Sequence, residues 1–199
     1  MPGERYAGVM SGTSLDGIDA VIADFAPPGG GVCATLGAAH LPFPPAIHDE
    51  LSALQSSGYD EVARAARVAN ALADLYAQAR AELIDDAVRV AADIVAAGVH
   101  GQTIRHRPED GWTVQVNNAA RVAEKSGLTV VADFRNRDVA AGGQGAPLVP
   151  AFHQALFGGD VHRVIVNIGG IANVTDLPIA GAVHGFDTGP GNALIDLWH

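Results

Sequence analysis

The sequence predicts a mixed α/β protein whose chemistry gathers at strand ends, and three observations carry that expectation. Short apolar runs recur along the chain and deliver polar clusters at their ends: 94–99 runs into His100-Gly-Gln-Thr103, and 128–132 into Asp133-Phe-Arg-Asn-Arg-Asp138. After Asp60 a long stretch without Gly or Pro repeats apolar residues at helical spacing. The arrangement of apolar strand, glycine-rich polar tip and apolar strand occurs near both ends of the chain.

The first such arrangement sets strands at 6–10 and 18–25, with a polar tip between them. Gly12 and Gly17 are expected to take positive φ and, lacking a Cβ, to let backbone N–H groups approach an anion, while Thr13 and Ser14 add hydroxyl donors. An ordinary hairpin turn favours the same residue types. A loop at 27–31 and a third strand at 32–41 follow, so three antiparallel strands open the sheet.

Segment 45–55 is helix-like and is broken by Ser56-Ser-Gly58. A long helix is expected over 60–90, with Val62, Ala65, Ala69, Leu72, Tyr76, Ala79 and Leu83 on one face. Strands at 94–99 and 112–116, a short helix at 118–125 and a strand at 128–132 come next. In sheets crossed by helices, ligands sit beyond the carboxyl ends of parallel strands, which points both polar clusters at one crevice.

A glycine-rich loop covers 140–147, and a helix over 148–157 carries Pro150 in its first turn. Strand 163–168, turn 169–173 and strand 174–177 repeat the opening arrangement. A further strand, 183–186, is expected to end just before Asp187-Thr-Gly-Pro-Gly-Asn192, and a helix begins at 193.

Composition excludes several classes. With 199 residues, 48% of them hydrophobic, the chain can bury a core. Its net charge of -10 opposes nonspecific binding to nucleic acid or an anionic membrane. The uncharged stretch 139–159 is interrupted by Gly, Pro, Gln and His, so it is not expected to span a membrane. One cysteine, Cys33, leaves no intrachain disulfide and is expected to be a small buried residue. With no secretory signal in view, the expected compartment is the cytoplasm. Gly-Lys-Ser/Thr, G-x-G-x-x-G, G-x-S-x-G and H-E-x-x-H patterns do not occur.

Six strings identify a family resemblance. They are 8–19 (Gly-Val-Met-Ser-Gly-Thr-Ser-Leu-Asp-Gly-Ile-Asp), 100–106 (His-Gly-Gln-Thr-Ile-Arg-His), 132–135 (Ala-Asp-Phe-Arg), 140–148 (Ala-Ala-Gly-Gly-Gln-Gly-Ala-Pro-Leu), 167–173 (Asn-Ile-Gly-Gly-Ile-Ala-Asn) and 185–192 (Gly-Phe-Asp-Thr-Gly-Pro-Gly-Asn). Together they closely resemble the anhydro-N-acetylmuramic acid kinases. The resemblance implies an actin-like, two-lobed sugar-kinase fold with ribonuclease-H-like sheets, the first lobe complete over 1–158 and the second begun over 159–199. It further implies ATP and Mg²⁺, and conversion of 1,6-anhydro-N-acetylmuramic acid to N-acetylmuramic acid 6-phosphate in cell-wall recycling.

Carried over residue by residue, the resemblance puts the catalytic base at Asp187. It puts the ATP phosphates on Gly12, Thr13, Ser14, Leu15, Asp16, Gly17, Ile18 and Asp19, with Gly169, Gly170 and Asn173 as the opposing jaw. Gln102, Thr103, Arg135 and Asp138 are the candidates for the sugar side. Asp16 and Asp19 would repel phosphates unless a cation lay between, so both are candidates toward Mg²⁺, directly or through water. Where the superfamily often has an aspartate ahead of the Gly-Thr pair this chain has Met10, and Asn117 stands where a glycine is usual. Family chains continue well past the position of His199, so an apolar sheet face is expected to be left for a complementing C-terminal polypeptide or a second copy. The alternative is a noncatalytic sugar-binding or structural remnant of that kinase.

Overall fold

Five strands make the first sheet of the computed structural model, which describes residues 4–25, 33–85 and 94–198. They are β1 (Glu4–Met10), β2 (Gly17–Phe25), β3 (Cys33–Pro42), β4 (Ile94–Val99) and β7 (Val130–Ala132), in the spatial order β3-β2-β1-β4-β7. β1 pairs antiparallel with β2 and parallel with β4, and β4 pairs parallel with β7, so only β2 runs against the rest. This is the ribonuclease-H-like sheet that the family resemblance implies. The loop expected at 27–31 and the helix end expected after Asp85 lie outside the described residues.

Alternation decides which face is buried. Ala7, Val9, Ile18, Ala20 and Ile22 point to one side and meet Leu72, Ala73, Tyr76 and Ala79 of α2 (Glu61–Asp85) in a continuous core. Each large side chain fully buried here contributes roughly 1.5–3 kcal/mol. The helix forms because its sequence is rich in Ala, Leu and Arg, lacks Gly and Pro, and has Glu61 in its first turn. Val62, expected on the apolar face, is 87% exposed, since the packed face begins a turn later. α1 (Pro45–Ala53) adds Leu51 to the core. α3 (Ala119–Ser126) is capped by the Asn118 side chain, which accepts from Arg121 N, and is closed by Gly127 at φ 67°. Cys33 is only half-buried because it begins the edge strand β3.

Two elements differ from the expectation. β5 (Gln102–Arg107) pairs with β6 (Trp112–Val116) as a separate two-stranded sheet, where a polar strand end was expected. The Asp133–Asp138 cluster is mostly helical: α4 runs Phe134–Ala140.

The second sheet is an antiparallel meander, β10-β9-β8, made of β8 (Arg163–Ile168), β9 (Ile171–Leu177) and β10 (His184–Pro190). Its order repeats that of β3-β2-β1. Thr175 and Leu177 are buried, and His153 of α5 (Pro150–Phe157) shares a 2.9 Å hydrogen bond with the Thr175 hydroxyl. Register puts Val164, Val166 and Ile168 on the other face, where they are 55%, 59% and 69% exposed. α6 (Ala193–Trp198) follows. Asp187 lies within β10, not at a strand end as expected, because pairing with Asn173 continues the strand through it to a bulge before Gly189.

Packing divides the chain into two compact units, Met1–His106 with Thr113–Phe134, and Arg107–Trp112 with Arg135–His199. Among the described residues no helix is long and apolar enough to cross a membrane.

Candidate active site

In the first unit, Val9, Val99 and Ala132 stand side by side across the parallel strands, so the chain leaves β1, β4 and β7 at one edge of the sheet. Ser11, the first residue beyond β1, is buried. Its hydroxyl donates to Gly101 O at 3.4 Å, which leaves the 2.9 Å bond with Tyr76 Oη to be donated by the tyrosine. Burial of Tyr76 pushes its phenol up to about 12, against a smaller opposing effect of the Ser11 hydroxyl. Neither Ser11 nor Tyr76 was legible as a site residue. Tyr76 reads only as one more apolar position on a helix.

The turn beyond Ser11 is built on Gly12 O, which accepts from Leu15 N at 3.3 Å and from Gln102 Nε2 at 3.0 Å. Positive φ falls on Leu15, at 57°, and not on Gly12 or Gly17 as expected. The Leu15 side chain anchors in the core, which holds this strained backbone in place. Gly17 serves β3: a Cβ there would come 2.5 Å from Leu41 O and 2.9 Å from the His40 ring. Thr13 is exposed, and Ser14 Oγ donates to Asp16 Oδ1 at 2.7 Å. Ile18 is a core residue, so its side chain is directed away from any ligand at the turn. Asp19 lies in an exposed cross-strand row with Met10 and His40, its carboxylate 2.9 Å from His40 Nδ1.

The two sugar-side candidates of this unit take structural positions. Gln102 is fully buried and braces Gly12. Its Oε1 has no hydrogen-bond partner among the described residues. Thr103 O accepts from Gln55 Nε2 at 3.2 Å, and Thr103 Oγ1 accepts from Gln115 Nε2 at 3.2 Å. Gly101, at φ 79°, is pressed against Val116 O and Asn117 Cβ, so the glycine conformation sits there and Asn117 needs no positive φ.

The second unit holds the other candidates. Asn167, Asn173 and Asp187 form one cross-strand row on the meander. The Gly169-Gly170 tip is tied to the turn before α6: Gly191 N donates to Gly170 O at 2.9 Å and Asn192 N to Gly169 O at 2.8 Å. Asn173 Oδ1 and Asn192 Oδ1 are buried without a hydrogen-bond partner among the described residues. Thr188 Oγ1 donates to Ala172 O at 3.1 Å across the bulge beside Asp187.

Arg135 and Asp138 of α4 both reach Gly145. Arg135 Nη1 donates to Gly145 O at 2.6 Å, and Asp138 Oδ2 accepts from Gly145 N at 2.7 Å. Burial lowers the pKa of the Arg135 guanidinium, and the charge of Asp187 acts in the opposite direction. The arrangement thus couples a carboxylate on a strand, a half-buried guanidinium and a glycine-rich loop.

For Mg²⁺, the donor set offers hard oxygen at Asp16, which is exposed and beside the Ser14 hydroxyl. Asp19 is already engaged by His40. No group of three or more His, Cys, Asp or Glu side chains that could hold a metal occurs among the described residues. Of the two carboxylates, Asp16 thus fits an ion better than Asp19 does.

Over residues 4–199 the chain matches the family model described as anhydro-N-acetylmuramic acid kinase. Curated proteins of that name are similar to it: one from Cupriavidus pinatubonensis is 56% identical over 98% of this chain, and one from Bordetella pertussis is 54% identical over all of it. These alignments cover 53% and 52% of the relatives, so the chain spans about half the length of the curated relatives it matches. Among solved structures, a PPX-GPPA enzyme of Aquifex aeolicus aligns over 99% of this chain and 56% of its own, at 14% identity and a TM-score of 0.43. By the extent of the family match and the identity to its curated members, the chain belongs to the anhydro-N-acetylmuramic acid kinase family.

Proposed function

We propose that the chain carries the phosphate turn and the catalytic base of a kinase that opens 1,6-anhydro-N-acetylmuramic acid with water. The 6-oxygen is phosphorylated by ATP, giving N-acetylmuramic acid 6-phosphate and ADP, as in cell-wall recycling. The observation that supports this reading best is Asp187, exposed on β10 in a row with two asparagines, its charge acting on the half-buried Arg135 guanidinium, in a chain of this family.

In this reading Asp187 accepts a proton from a water molecule whose oxygen attacks the anomeric carbon. The bond from that carbon to the bridging 6-oxygen breaks, and the released oxygen takes the terminal phosphoryl group of ATP. A positioned base of this kind contributes roughly 10²- to 10⁴-fold. The turn 12–19 binds phosphate oxygens through backbone N–H groups and the hydroxyls of Thr13 and Ser14, and Leu15 and Ile18 contribute backbone only. Gly169, Gly170 and Asn173 are the candidate phosphate contacts of the second unit. The Asn173 amide, when turned, offers N–H in place of its unpartnered oxygen. Mg²⁺ supplies charge neutralisation on the phosphates, with Asp16 as its first candidate partner and Asp19 as the second. Thr103 and Arg135 remain candidates toward the sugar, each within its own unit, and Gln102 acts through Gly12. The compartment proposed is the cytoplasm, and nucleic acid and membrane have no part in the reaction.

A second reading has its own observation. The exposed Val164, Val166 and Ile168 leave an apolar sheet face that suits either a noncatalytic remnant or a chain completed by a second polypeptide or copy. One experiment separates the readings. Purified chain is incubated with Mg-ATP, the anhydro sugar and heavy-oxygen water, alone and with a polypeptide carrying the remaining half of a relative. A 6-phosphorylated product labelled at the anomeric hydroxyl, absent with Asp187→Asn, supports the kinase. No ADP in either mixture at high protein concentration overturns it in favour of the remnant.

A further inference from the structure

The glycine-rich loop between α4 and α5 is fastened at one peptide. Gly145 is buried, and both of its polar backbone groups are taken by side chains one turn apart on α4: the carbonyl by Arg135 at 2.6 Å and the N–H by Asp138 at 2.7 Å. The backbone of Asp138 does the same work nearby, its carbonyl accepting from Ala141 N at 3.0 Å and Gly143 N at 2.9 Å. Gly143 makes room for the carboxylate, since a Cβ there would stand 2.2 Å from Asp138 Oδ2. Gly142 and Gly145 supply the turn itself, at φ 93° and 71°.

The far end of the same loop rests on the strand that carries Asp187. A Cβ on Gly185 would lie 3.2 Å from Pro147 Cγ and 2.4 Å from Pro150 Cγ, so the loop and the start of α5 seat directly on β10. We propose that Arg135 and Asp138 are positioning residues: by holding the Gly145 peptide at both polar ends they set the loop against β10 at Gly185, two residues before Asp187. This rests on the reading of Asp187 as the base and replaces the expected sugar-ligand role of Asp138. A carboxylate spent on a buried backbone N–H is fixed in place, because a charged acceptor makes the stronger class of hydrogen bond.

Amide hydrogen exchange and the carboxyl carbon resonance of Asp187, both measured by NMR on the 199-residue chain, test it without turnover. Asp138→Ala and Arg135→Gln are expected to speed exchange at Gly145 by at least about tenfold, the scale of losing one such bond, and to shift the Asp187 resonance. Asp138→Asn, which keeps an acceptor oxygen, restores most of the protection. Gly143→Ala reaches the same end by displacing the carboxylate while keeping Asp138 itself, so a fold defect peculiar to Asp138→Ala would not mimic the full pattern. Wild-type exchange at Gly145 in Asp138→Ala and Gly143→Ala, or an Asp187 resonance that does not move, overturns the proposal. A chain that shows this pattern yet yields no labelled product, alone or with the remaining half of a relative, would refute the kinase reading and leave the positioning role standing.

Discussion

The side-chain amide of Gln102 donates to the carbonyl oxygen of Gly12 at 3.0 Å, from a position with no solvent exposure. The residue that opens β5 therefore supports the turn that follows β1. Replacing Gln102 with Leu leaves Gly12 O without this donor and is expected to destabilise the chain by about 1–3 kcal/mol. Urea unfolding of the two proteins measures it. An unchanged midpoint would show that the brace is idle.

The tip of the second meander makes a steric prediction. Gly191→Ala would put a Cβ 2.2 Å from Gly169 O, and backbone cannot swing aside as a flexible side chain can. The bonds from Gly191 N to Gly170 O and from Asn192 N to Gly169 O are then strained or lost. A loss of roughly 1–3 kcal/mol is expected, with faster amide exchange confined to residues near 169–172 and 191–192.

Tyr76 gives stability a high-pH limb. Its folded-state pKa, about 12, lies above the ordinary phenol value of 10.0, because burial disfavours the phenolate. The unfolded chain therefore releases this proton first. The stabilisation is whole below pH 10 and declines as pH rises from about 10 toward about 12, by roughly 1–3 kcal/mol. In Tyr76→Phe the bond to Ser11 is gone and the chain is less stable at neutral pH, but that limb is flatter. Denaturant unfolding at several pH values between 9 and 12 distinguishes the two slopes.

Asp74 gives a low-pH limb of the opposite sign. Arg121 hydrogen-bonds its carboxylate at 2.7 and 2.9 Å, Lys125 adds a contact at 3.1 Å, and together they hold its pKa at about 2. The pair links α2 to α3, and its contribution is present above the ordinary carboxylate range and fades as pH falls through 4 toward 2. Because these groups are exposed, added salt should shrink the effect. Asp74→Asn should flatten acid unfolding over that window, and an unchanged acid midpoint would refute the coupling.

What the sequence made legible follows from how each signal is written. The strands at 94–99 and 163–168 are short apolar runs, and α2 repeats Ala69, Leu72, Tyr76, Ala79 and Leu83 over enough turns for a period to stand out. α4 has only seven residues, most of them polar, so it offers less than two turns of pattern and reads as a strand end. β5 hides for a different reason: its inward position is Gln102, a polar residue where alternation calls for an apolar one. Asp187, Thr188 and Gly189 are turn formers held in strand geometry by β9, and tertiary pairing overrides local preference. At the phosphate turn, composition identified the segment but not its mechanics. Leu15 takes the positive φ, and Gly17 is small to admit β3.

The place of β1 in its sheet also orders events in time. Its antiparallel partner begins at Gly17 and its parallel partner at Ile94, so the first pairing closes a short loop and the second a long one. During synthesis the hairpin around Gly12 can form while most of the chain is still to be made. Gln102 emerges far later. The turn is drafted early and completed only when β4 docks, and a nascent chain stopped short of residue 102 would carry the hairpin without its brace.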